Sequence, residues 1–145
     1  MSGNHKSTSN FEKDFLIEEL GLRQYRNSTI FTKDTIFVLS PSVSLNTKNY
    51  YWFDIREVNL NKFDNNIYSK FKILIRIVNI GFVLLDFNEL KELLTIHTKR
   101  EDSSLKVWGF NLEIKGNSVK IINRKDKTFL TKNIIDKMNL KEEVS

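Results

Sequence analysis

Cysteine is missing altogether from this chain of 145 residues. No disulfide can staple it and no thiolate can hold zinc, so a reducing compartment is its simplest setting. Histidine is nearly missing as well: His5 lies in a polar N-terminal stretch and His97 further on. That removes most histidine-based metal hydrolases, HNH-type nucleases and Ser–His–Asp designs, each of which needs a well-placed imidazole. Glycine occurs five times and proline once. No glycine falls in a G-x-G-x-x-G or G-x-x-x-x-G-K pattern, so a phosphate-cradling nucleotide loop is not expected. Apolar runs such as FVLL at 82–85 are short, against the roughly 20 residues of a membrane-spanning helix. The opening MSGNHKSTSN has no apolar segment of the kind a secretory signal carries. A cytoplasmic chain with no membrane partner is the expectation.

What the chain does have is material for one core. Forty per cent of its residues are apolar and 12 per cent aromatic, in a length typical of one domain. Its net charge of +5 is unevenly spread. From Ser103 to Lys137 there are eight basic residues (Lys106, Lys115, Lys120, Arg124, Lys125, Lys127, Lys132, Lys137) and three acidic ones, which accounts for the whole excess. Local asymmetry of this kind points to a polyanionic partner. The plainer reading is compositional, because a chain rich in Asn, Ile and Lys is what a low-GC bacterial or phage genome encodes.

Residues 1–10 are small and polar, and a disordered tail is expected there. NFEKDFLIEELGL predicts a helix capped by Asn10, with Phe11, Phe15, Leu16, Leu20 and Leu22 as its apolar stripe and Gly21 as its stop. TIFVLS (35–40) and YYWFDIRE (50–57) predict strands, and VNLNKF a short helical turn. FKILIRIVN (71–79) and GFVLLDF (81–87) predict two more strands about a turn at 79–81. NELKELLTIHTK (88–99) predicts a helix capped by Asn88, with His97 on its apolar side. KVWGFNLEIKG (106–116) and SVKIINR (118–124) predict a hairpin about Gly116–Asn117. A last short helix is expected from Thr131 or Asn133 to Met138. The sum is an α+β fold: one domain over 11–138, with 139–145 fraying. Its sheet would have five or six mostly antiparallel strands, curved like a half-barrel, and two or three helices.

Two patterns carry chemistry. Along YYWFDIRE, alternation puts Tyr51, Phe53 and Ile55 on one face and Tyr50, Trp52, Asp54 and Arg56 on the other. The first set suits a core. The second suits a base-reading surface, since aromatic rings stack on bases, Asp accepts from amino groups and Arg meets phosphates or guanine edges. Arg56 would extend a basic character shared with Lys72 and Arg76. Packing of Trp52 under a helix, with Asp54 and Arg56 paired at the strand end, is the plainer alternative. Glu113–Ile114–Lys115 has the E-x-K form of restriction-endonuclease-like nucleases. In that family an upstream Asp and the Glu hold Mg²⁺ and the Lys helps to position water. Asp86 is the upstream acid that fits, although a whole helix separates it from the E-x-K strand. FNLEIK also reads as an ordinary strand with Phe110, Leu112 and Ile114 facing in and Asn111, Glu113 and Lys115 facing water.

The succession YWFDIRE, FKILIRIV-x-x-GFVLLDFNELKELL, KVWGFNLEIKG-x-SVKII and FLTKNI, residues 50 to 136, resembles small recognition modules found beside bacterial restriction-type nucleases. Those modules often carry a His after the Trp, where this chain has Gly109. The resemblance implies a DNA-binding role, as a specificity or accessory unit of a restriction or anti-phage system, and transfers no catalytic residue. The expected partner is double-stranded DNA. Lys115, Lys120, Arg124, Lys125 and Lys127 would contact phosphates, and Trp52, Asp54 and Arg56 would contact bases, with no cofactor. The first alternative is a Mg²⁺-dependent nuclease in which Asp86 and Glu113 hold the metal beside Lys115. A second is a protein-binding inhibitor or subunit, with a protein partner or a homodimer.

Overall fold

The computed structural model describes residues 10–45, 50–99 and 106–144. The expected tail at 1–10 lies outside them except for Asn10. In chain order the strands are β1 (Arg23–Gln24), β2 (Ile30–Lys33), β3 (Ile36–Leu39), β4 (Ser42–Val43), β5 (Tyr51–Arg56), β6 (Lys70–Ile77), β7 (Gly81–Asp86), β8 (Thr98–Lys99), β9 (Lys106–Lys115), β10 (Ser118–Asn123) and β11 (Phe129–Asn133). Helices α1 (Glu57–Leu60), α2 (Phe87–Lys91) and α3 (Lys137–Val144) are short, and a π-helical turn spans Phe15–Glu19. The α+β class is as expected, but the strands form two sheets and not one.

The first sheet is built on β6. Strand β7 returns antiparallel along one edge, from Ile77↔Gly81 to Lys72↔Asp86. Along the other edge β3 and then β4 run parallel to β6. The break between them is at Pro41, which has no N–H for a ladder; its carbonyl still accepts from the Arg76 amide at 2.9 Å. Strands β2 and β1 extend the sheet beyond β3. The second sheet runs β11–β10–β9–β5, with β8 beside the start of β9, and all its pairings are antiparallel. Gly116, at φ +61, makes the β9–β10 turn between Lys115 and Ser118. Single bridges, Leu45↔Tyr51 and Phe82↔Ile135, join the two sheets. They are not ladders, so the barrel stays open.

The main core lies between the sheets. Ile73, Ile75, Ile77, Val83 and Leu85 of the first meet Phe53, Ile55, Phe110, Leu112, Val119 and Ile121 of the second. Phe53 and Phe110 stack at 5.2 Å. A second core covers the other face of the first sheet, where Leu74, Phe82, Phe31 and Val38 pack beneath Phe15, Leu16, Leu20 and Leu22 and beneath Leu140 and Val144 of α3. The first sheet is therefore sandwiched.

Four local expectations are corrected by this packing. The N-terminal helix is a π turn closed by Leu20 N–H to the Phe15 carbonyl at 3.1 Å; the widened turn brings Phe15, Leu16 and Leu20 onto the sheet together. The helix expected at 88–99 stops at Lys91, and its cap is Asp86 in a capping box with Glu89, not Asn88. Thr98 and Lys99 pair with β9 instead of continuing the helix. Residues 129–133 are a strand because β10 offers an open edge, and the helix comes later, through 144, where Leu140 and Val144 bury its inner side. The chain over 139–144 is thus packed, not frayed.

Candidate nucleic-acid interface

One face of the second sheet fills the core and the other carries no layer among the described residues. Strand alternation decides what it shows. On β5, Phe53 and Ile55 are buried while Trp52 and Arg56 are exposed and Asp54 is half-buried, which is the division expected from YYWFDIRE. On β9, Asn111, Glu113 and Lys115 face out; on β10, Lys120 and Ile122 do, both half-buried. On β11, Phe129 and Thr131 are exposed.

The registers assemble these residues into rows. Trp52 is opposite Asn111, Asn111 opposite Ile122, and Ile122 opposite Phe129, a single line across four strands. Trp52 keeps 43 % of its surface exposed and Phe129 55 %. Asn111 sits mid-row with its Oδ1 buried and without a hydrogen-bond partner. In the next row on one side, Glu113, Lys120 and Thr131 are aligned, and the Lys120 ammonium lies 4.4 Å from the centroid of the Phe129 ring. On the other side Asp54 is opposite Gly109, and the Arg124 amide donates to the Gly109 carbonyl at 3.0 Å. Gly109 has a packing reason to be glycine: a Cβ there would lie 3.0 Å from Cδ of Arg124. The arginine stem is laid over the bare backbone. Asp54 pairs with Arg56 at 3.7 Å, at the surface.

Arg124, Lys125 and Lys127 ride on the turn after β10, and that turn is anchored. Asn123 is fully buried. Its side-chain amide donates to the carbonyls of Leu93 at 2.9 Å and Ile96 at 3.2 Å, and its oxygen accepts from the Lys125 amide at 2.8 Å. Asp126 accepts from the Thr95 hydroxyl and from the Thr128 amide and hydroxyl. Those hydrogen bonds, the Thr95 one foremost, hold its carboxyl below the ordinary aspartate range. Lys127 has φ +65 and donates from Nζ to the Arg124 carbonyl at 3.1 Å.

Other cations turn out to serve the fold. Arg76, expected to extend the basic surface, is 1 % exposed. It donates to Ser40 Oγ at 2.9 Å, to the Ser40 carbonyl at 2.8 Å and to the Phe11 carbonyl at 2.8 Å. Burial lowers its pKa to about 10, still charged at neutral pH. Lys72 pairs with Asp86. Lys132 pairs with Glu89 at 3.0 Å and Lys137 with Glu12 at 2.7 Å. Partial burial alone would raise the Glu89 carboxyl; the Asp86 amide and Lys132 outweigh it, and the net shift is downward.

The residues of the nuclease alternative are not brought together by any pairing. Asp86 ends β7 in the first sheet, where it caps α2, whereas Glu113 and Lys115 sit on the outward face of β9 in the second. Among the described residues no group of three or more His, Asp or Glu side chains converges as a metal site. His97 lies past the end of α2, edge-on to the buried Trp108 ring at 5.9 Å. Sequence reasoning missed Ile122 and Phe129 as members of the face. The alternation of Phe129, Thr131 and Asn133 with Leu130 and Lys132 was the available signal. No helix among the described residues is long and apolar enough to cross a membrane. Comparison with protein-family models, with curated proteins and with solved structures finds no match for this chain.

Proposed function

We propose that the open face of the second sheet binds nucleic acid. The observation that carries this reading is the arrangement of Trp52 and Phe129 in one row, with Arg56 and Arg124 to one side and Lys115 and Lys120 to the other. Aromatic faces supply stacking area, and the flanking cations supply phosphate contacts whose gain comes from counterion release. The anchored turn adds Lys125 and Lys127 at one end. Asp54 and Glu113 lie on the same face beside cations, where they temper the positive field and are able to accept from base amino groups. A role as specificity or accessory unit of a restriction or anti-phage system rests on the sequence resemblance alone.

The test is a titration of labelled DNA at two salt concentrations with the full chain and with Arg124→Ala/Lys125→Ala/Lys127→Ala. Affinity should fall steeply with salt, and the triple variant should show a shallower slope, by about one contact per cation removed. No binding at low salt, or an unchanged slope in the variant, would refute the reading. Mg²⁺-dependent plasmid cleavage that is lost in both Asp86→Ala and Glu113→Ala would install the nuclease alternative in its place.

A further inference from the structure

We infer that the nucleic acid taken by this face is single-stranded; the inference rests on the nucleic-acid reading and narrows it. In a duplex the base faces are covered by their neighbours and only edges and phosphates are on offer, whereas an unpaired strand presents every base as a flat surface. The row that organises this face is built for flat surfaces. Its two ends are exposed aromatic rings, Trp52 and Phe129, and Ile122 lies between them. Three strand spacings separate those ends, about 14 Å, so two bases can stack at the ends of the row with connecting nucleotides across its middle.

The width of the face argues in the same direction. A major groove about 12 Å wide admits a helix or a two-stranded ribbon. Here the residues to be used lie on four adjacent strands, and the backbones alone exceed that width. The duplex would have to be bent or opened before Trp52 and Phe129 could touch it together. A single strand runs along the row instead, and cations in the rows on both sides meet its phosphates as it crosses: Arg124 over Gly109 on one flank and Lys120 against the Phe129 ring on the other. Lys120 lies over one face of that ring, a cation–π contact that stays in place when a base stacks on the opposite face.

The experiment compares one labelled oligonucleotide as a single strand, as DNA and as RNA, with the same sequence closed into a duplex, at low salt. The single strands should win by at least tenfold. Trp52→Ala and Phe129→Ala should each weaken single-strand binding by about 5- to 150-fold with melting temperatures close to the parent, because both rings are substantially exposed. Trp108 is buried, so stacking should quench only the Trp52 emission; Trp52→Phe should abolish the quench and keep most of the affinity. Equal binding of duplex and single strand, with both alanine variants unchanged and the Arg124/Lys125/Lys127 variant weakened, would overturn the single-strand inference and leave the nucleic-acid reading standing. Binding of neither form would overturn both. The DNA and RNA arms show which sugar the face accepts, and either one winning over duplex supports the inference.

Discussion

The two sheets carry arginines of opposite meaning. In the first, Arg76 sits next to last in β6 and is buried beneath the second core, donating to Ser40 and Phe11. In the second, Arg124 comes directly after β10, on the turn, and lies exposed over Gly109. Each strand has an inner face made of β-branched and aromatic residues. The difference is what comes to rest on the outer one. The N-terminal turn and α3 cover the first sheet; among the described residues nothing covers the second. Whether a cation in or beside a strand is buried or left at the surface is therefore decided by whether a remote segment arrives to cover it.

The sharpest way to break this contrast is to remove both arginines in turn. Arg76→Ala should cost about 2 to 3 kcal/mol of stability, because buried acceptors lose their donors and a cavity opens, a sizeable share of a margin of about 5 to 15 kcal/mol. Arg124→Ala should cost the fold about 0.5 kcal/mol or less and weaken nucleic-acid binding. Thermal melts beside one titration measure both. Equal melting losses would mean that the second sheet's outer face is as structural as the first's.

A smaller effect is expected at Gly109. In Gly109→Ala the new Cβ meets the Arg124 stem, a flexible side chain that can swing aside. Stability should therefore change by under about 0.5 kcal/mol, while binding should lose part of what Arg124→Ala loses. The double variant should bind no worse than Arg124→Ala alone, since the glycine acts only through the arginine. Additive losses in the double variant would show that Gly109 has a separate role.

The smallest effect is a local pH response. The Asp126 carboxyl is depressed in the folded chain by its hydrogen bonds to Thr95 and Thr128. A depressed folded value means that its support of the turn is complete above the ordinary aspartate pKa, about 3.9, and is lost as pH falls through the lower folded value. Amide resonances of Lys125 to Thr128 should hold still at neutral pH and shift only in strong acid. In Asp126→Asn they should be displaced already at neutral pH. Resonances in the parent that titrate near pH 4 or above would contradict the anchoring.

Much of this was written locally. The alternation in β5, β6, β9 and β10, the Gly116 turn, and the split of YYWFDIRE into Phe53 and Ile55 inward and Trp52, Asp54 and Arg56 outward follow from a period of two and from glycine's tolerance of positive φ. The short helices were less legible. Their apolar residues fit a helical stripe, but packing against the first sheet selected a π turn at Phe15–Glu19, α2 stops after Lys91, and β9 of the second sheet drew Thr98 and Lys99 into β-pairing. Phe129, just ahead of the helix expected from Thr131 or Asn133, is part of the open face because β10 supplies its partner.

The sequence by itself determined that each strand would have two faces and which residues would share each one, because that division depends only on backbone geometry. Only the tertiary structure decided which face would meet solvent. The cover over Leu74 and Arg76 comes from Phe15 to Leu22 and from Leu140 and Val144, segments far apart in the chain, and no periodicity within β6 can encode where they will pack. The same long-range choice left Trp52, Asn111, Ile122 and Phe129 in one uncovered row, since strand register is set by pairing partners and not by any one strand alone.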